Sequence, residues 1–116
     1  MIAVIFEVEP IAGQYDSYLE IAADLRPLLD DIDGFISVER FQSLSDPNRI
    51  LSMSFWRDEE AVAEWRRRDK HRMAQAMGRS EVFHDYRIRV AQVVRDYGMQ
   101  QRAEVPKDSL IAHDNE

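Results

Sequence analysis

No cysteine occurs among the 116 residues, which excludes disulfide scaffolding and thiolate chemistry and leads us to expect a reducing, cytoplasmic setting. No apolar run approaches the roughly 20 residues of a membrane-spanning helix. The opening MIAVIFEVE has neither a basic leader nor a small-residue cleavage site, so we expect no signal peptide and no membrane association. Positive charge is scarce: 15 lysines and arginines against 22 acidic residues give a net charge of −7, which argues against nonspecific binding to nucleic-acid backbones. The histidines number three and show no ligand-pair spacing, while Asp30, Asp31 and Asp33 lack the frame of a calcium loop. Phosphate-cradling glycine loops and nucleophilic triads are also missing. What remains is one soluble globular domain's worth of chain with a normal apolar share of 45%.

Ile2, Val4, Phe6 and Val8 recur with a period of two, which predicts a strand closed by Pro10 and Gly13. From Gln14 or Tyr15 to about Ile32 the spacing becomes helical, with Tyr18, Leu19, Ala22, Leu25, Leu28 and Leu29 on one side. Pro27 is expected to break or kink this helix, because it removes a backbone donor and crowds the preceding turn. Asp33-Gly34 is a turn. Strands are predicted over Phe35 to Leu44 and Arg49 to Trp56, paired as a hairpin through Ser45-Asp46-Pro47-Asn48.

Asp58 is the expected N-cap of a second helix, with Glu59 and Glu60 suited to its positive end. That helix is predicted to run to about Met77, irregular among Arg66 to Asp69, and to stop at Gly78. Val82 to Val94 alternates as a last strand, with Val82, Tyr86, Ile88, Val90 and Val94 on one face and Asp85, Arg87 and Arg89 opposite. Residues 1–96 thus form the predicted domain. Residues 97–116 are a polar tail expected to be flexible or ordered by a partner.

The order β-α-β-β-α-β is a ferredoxin-like α+β arrangement, a four-stranded antiparallel sheet with two helices on one face. The other sheet face also carries apolar residues, which a lone domain would leave wet. A homodimer with its sheets packed face to face is the expected solution.

Three further stretches accompany this topology: FWRDEEAVAEW with HRMAQAMGR, the strand GFISVERF, and FHDYRIRVAQVVRDY. Together they resemble the antibiotic biosynthesis monooxygenase domain, over roughly residues 1 to 97. The resemblance implies a dimeric α+β barrel. It also implies oxidation of an aromatic, phenol-like molecule by oxygen with no metal or organic cofactor. Some members of that family instead bind and degrade haem, and others have no assigned activity. The haem branch uses a helix-two tryptophan, matched by Trp65, and a haem-ligating histidine ten residues later, where this chain has Gln75. It also uses an asparagine late in the first strand, where Glu7 or an apolar neighbour stands. Haem is therefore the minor alternative.

On this reading Trp65 stacks against a planar substrate; as a plain packing residue it would instead hold helix two on the sheet. His71 is the candidate general base for a phenolic proton, against the reading of a solvated helix-surface histidine. His84 is the second choice for that role. Tyr86 and Arg79 are candidates to hold an oxyanion or superoxide-like species, although a core tyrosine with a satisfied hydroxyl is the plainer expectation for Tyr86. Gln75, Phe83, Met73, Phe55 and Met77 are candidate lining residues, or simply core. The basic run Arg66 to Arg72 is read mainly as a solvated helix face that could also draw in an anionic substrate. A non-catalytic dimeric module that binds a hydrophobic ligand, or serves only for interaction, is the rival from another class.

Overall fold

The computed structural model describes residues 1–77 and 83–109, with side chains for 1–68 and 83–109. Its elements run β1 (Ile2–Pro10), α1 (Tyr15–Asp30), β2 (Phe35–Gln42), β3 (Ile50–Trp56), α2 (Glu59–Met77) and β4 (Phe83–Gln92). The strands form one sheet in the order β2-β3-β1-β4, every neighbour antiparallel. This is the predicted ferredoxin-like fold.

Alternation in β1 sets the inner face. Ile2 and Val4 pack with Leu29 and Ile32 near the end of α1 and with Trp56, Ala61 and Val62 beside the start of α2. Farther along β1, Phe6 and Val8 pack with Tyr18 of α1 and Ile50 of β3. Both helices therefore lie on the face carrying the even-numbered residues of β1. The odd-numbered residues Ala3, Ile5 and Glu7 pair across strands with Phe55, Met53 and Leu51 on the other, open face.

Pro27 does not end α1, which runs through it to Asp30. The proline removes the N–H that would reach the carbonyl of Ala23 one turn earlier. Both Ala23 and Pro27 are exposed, so water can satisfy the freed carbonyl. Burial of Leu29 and Ile32 holds the last turn down.

Asp58 caps α2 as expected: its Oδ1 accepts the Ala61 N–H at 2.9 Å. That bond, followed by the Arg57 guanidinium, holds the Asp58 carboxyl below its usual range. The irregularity expected around Arg66 to Asp69 does not occur, and the helix is continuous to Met77. Glu64 bonds both Arg67 and Arg68, pairs at helical spacing that keep this charged stretch in register. Gly34 locks the start of β2 against α2. It has φ +97°, and a Cβ there would lie 2.8 Å from the Ala61 side chain.

Candidate active site

Cross-strand pairing places Tyr86 beside Val8, Ile88 beside Phe6 and Val90 beside Val4, so these β4 residues share the inner, helix-side face. Yet they are not core: Tyr86 is 58% exposed, Ile88 55% and Val90 48%. The expectation that Tyr86 is a core tyrosine is corrected here. The helices close over β3 and β1, where Trp56 and Val8 are each 1% exposed, and leave β4 half bare.

A bulge shapes this area. Glu9 pairs with Asp85 but Pro10 pairs with Phe83, leaving His84 as the extra residue. The bulge reverses the alternation, so Phe83 comes to the same face as Tyr86 instead of the opposite one. Four aromatic rings then meet. Phe6 lies 5.9 Å from Phe83 and 5.8 Å from Tyr86 between centroids, and Phe83 lies 5.9 Å from both Tyr18 and Tyr86. The edge-on and tilted geometries are those that favour aromatic contact. Phe6 and Tyr18 were read from the sequence only as strand and helix residues. Nothing in a period of two announces that Phe83 would join them.

Trp65 extends from α2 to the rim of the first core cluster, its ring centroid 6.4 Å from that of Trp56. It is half-buried, with one part packed and one part open. Trp56 itself is sealed, its indole N–H donating to the Ser54 hydroxyl at 2.9 Å. His71, Met73 and Gln75 fall on the later turns of α2, whose backbone is helical, but their side chains lie outside the described residues, as does that of Met77. Arg79, Gly78 and Val82 lie wholly outside them. His84 is exposed at the bulge. Phe55 pairs with Ala3 on the open face and so cannot line a site on the inner one, which corrects that expectation.

Polar groups occupy the β2 side of the inner face. Arg40 pairs with Ser52, and its Nε is buried without a hydrogen-bond acceptor. On the open face, Arg89 bonds Glu7 at 2.9 Å across the β1–β4 pair. Around them Glu9, Asp85, Arg49 and Arg87 border a shallow concavity of about 280 Å³. The apolar strip expected on this face is present as Ile5, Leu51, Met53 and Phe55, but charges bound it along β4. No cluster of metal-ligating side chains is present among the described residues.

Residues 1–77 match the family described as antibiotic biosynthesis monooxygenase. This chain belongs to that family. A jasmonate monooxygenase, ABM, of Pyricularia oryzae is 55% identical over 93 residues, covering 80% of this chain and 43% of that protein. The chain thus spans less than half the length of that relative. An uncharacterized family relative, YqjZ of Bacillus subtilis, is 33% identical over 94 residues, covering 80% of this chain and 79% of its own. Among solved structures, a variant of MhuD with two manganese protoporphyrin IX groups per active site superimposes with a TM-score of 0.70. It is 17% identical and covers 84% of this chain and 99% of its own, a likeness of fold. No helix among the described residues is long and apolar enough to cross a membrane.

Proposed function

We propose that this chain is a cofactor-independent monooxygenase, acting in the cytoplasm as a homodimer on a small aromatic or phenol-like molecule. The substrate lies between α2 and the bare inner face of β4. The observation that carries this reading is an aromatic and aliphatic floor on the helix-side face of the sheet, with Phe6 and Phe83 partly buried and Tyr86, Ile88 and Val90 about half exposed. An apolar floor with a few polar groups at its edge is what binds a planar organic molecule. The Pyricularia relative's name extends the substrate class to jasmonate-like molecules.

Such chemistry needs a base more than a metal. His71 takes the phenolic proton, and the resulting anion gives up an electron to oxygen far more readily than the neutral phenol. Tyr86 and Arg79 stabilise the negative charge that moves from the substrate to oxygen. One oxygen atom enters the substrate as a carbonyl at a ring carbon. The other leaves as water with the phenolic hydrogen, carried by His71, and the one hydrogen of the oxidised ring carbon, so the substrate supplies both electrons that reduce it. Trp65, Gln75 and Met73 hold the ring plane.

The test is oxygen uptake by chelator-treated protein with a panel of phenols and jasmonate, comparing the unmodified chain with Trp65→Ala. Turnover reduced at least tenfold by that substitution supports the reading. Tight binding of a panel member without oxygen consumption would instead establish the non-catalytic binding module.

Haem is the second reading, prompted by the porphyrin-bearing neighbour of the same fold. It is disfavoured by Gln75, ten residues after Trp65, because an amide is a poor iron ligand beside an imidazole. Phe6 and Val8, not the polar Glu7, lie on the inner face of β1. A Soret band on haem titration that disappears in His71→Ala would revive it.

A further inference from the structure

Across the four strands, charge is sorted by face with one exception. Glu7, Glu9, Asp85, Arg87 and Arg89 fall on the open face by cross-strand register, and so does Glu39, which pairs with Met53. Arg40 is the exception. It pairs with Ser52, Ser52 pairs with Phe6, and Phe6 pairs with Ile88, so one row crosses the helix-side face from a cation to the bare floor. Two strand spacings, about 10 Å, separate the backbones of Arg40 and Phe6. The preceding inward residue of β2 is Val38, which packs against the same core cluster as Trp65. Arg40 therefore borders the site on the side away from β4. Its guanidinium is not satisfied there. The Nε is buried and has no hydrogen-bond acceptor, and among the described residues no carboxylate forms an ion pair with this side chain. A buried N–H without an acceptor is a cost that folded chains seldom carry. An apolar side chain would fill the same place without it.

We infer that Arg40 determines specificity at this site by holding a carboxylate of the substrate, whose ring lies on Phe6 and Ile88. The substrate class is then a ring-bearing carboxylic acid rather than a neutral phenol. Three observations select that group. The missing partner of Nε is an acceptor, and an arginine presents Nε–H and one Nη–H along a single edge, spaced to meet both oxygens of a carboxylate. The row from Arg40 to Ile88 leaves room for one ring and a short acid-bearing chain. The net charge of −7 repels an anion over most of the surface, so a cation set inward on the sheet decides whether an acid is held. Ser52, half-buried between Arg40 and Phe6, offers a hydroxyl to the same group.

The inference rests on the proposed site between α2 and β4 and names the group that its substrate carries. Isothermal titration of the full chain would compare para-hydroxyphenylacetate and jasmonate, each with its methyl ester, with oxygen uptake read on the same pairs. At least one acid should bind roughly 10- to 100-fold more tightly than its ester, the range of a charge-assisted hydrogen bond. Arg40→Met keeps the length of the side chain but removes its donors, and should bring that ratio to about one. Arg40→Lys should keep part of the preference, because an ammonium retains the charge without the two-point edge. Arg87→Gln removes a cation from the open face and should leave the ratio as it is in the unmodified chain, which separates contact from the general field of the protein. Unchanged far-ultraviolet dichroism would establish that each variant is folded. An acid preference that survives Arg40→Met, or oxygen uptake with phenols and esters but no acid preference in the unmodified chain, would overturn the anchor and leave the oxygenase standing. A preference lost in Arg40→Met without any oxygen uptake would support the anchor on a binding module and overturn the oxygenase. Neither binding nor uptake with acid, ester or phenol would overturn both.

Discussion

Under α1 and the first turns of α2, the inner face of the sheet is sealed; two strands away, the same face lies open. Trp56 and Ile50 on β3 are 1% and 2% exposed, whereas Tyr86 and Ile88 on β4 are 58% and 55% exposed. Residue type does not separate the two regions, because both are built from aromatic and branched apolar side chains in regular alternation. What separates them is what lies overhead. The first region holds the fold together, and the second is left bare. The same amphipathic pattern therefore serves stability in one place and, on the proposed function, binding in another.

The sharpest way to break this comparison is to truncate one ring in each region. Trp56→Ala should cost about 3–5 kcal/mol in urea unfolding, since it opens a cavity and strands the Ser54 hydroxyl. Tyr86→Ala, by contrast, should cost less than about 1 kcal/mol, because a half-exposed side chain leaves no sealed void. Equal losses would show that β4 is packed in solution and that no binding floor exists there. Tyr86→Phe sharpens the point for chemistry: on the proposed reaction it should lower oxygen consumption by roughly 10- to 1000-fold while leaving the unfolding midpoint unchanged.

Gly34→Ala tests the seam between the sealed region and the hairpin. A methyl group there meets the Ala61 side chain at 2.8 Å on a backbone at φ +97°. About 2–4 kcal/mol of destabilisation is expected, combining left-handed strain with overpacking, measured as a lowered urea midpoint.

The smallest effect concerns the cap of α2. The folded Asp58 carboxyl titrates below its unfolded value, chiefly because it accepts the Ala61 N–H. Its contribution to stability is therefore fully present above the ordinary aspartate value of about 3.9 and is lost as pH falls through the depressed folded value. Asp58→Asn keeps the cap acceptor but not the charge, so its midpoint should change less between pH 5 and pH 3 than that of the unmodified chain. Parallel profiles for the two proteins would rule out this linkage.

The fold was legible because its signals are local. A period of two in β1, helical spacing from Tyr18 to Leu29, the Asp46-Pro47-Asn48 turn and the Asp58 cap each depend on residues close in the chain. Two local signals misled for the same reason. Pro27 was expected to break or kink α1, which runs through it to Asp30, and the charged run after Trp65 was expected to disturb α2. Solvent exposure of Ala23 in the first case and the Glu64 pairs in the second supplied what propensity lacked. The site was less legible. Trp65 and Tyr86 stood out as aromatics, and their covering was not readable from type. Phe6 and Tyr18 joined the site through packing across the sheet, and Phe83 joined it through the bulge at His84.

The order of elements and the hairpin pairing followed from the amino acids alone, because hydrophobic periodicity and turn chemistry act over a few residues. Which apolar residues stay bare was decided by the tertiary structure, because exposure depends on where α1 and α2 cross the sheet. The same holds for the face to which Phe83 turns. Those quantities are set by distances between segments far apart in the chain, and no local pattern encodes them.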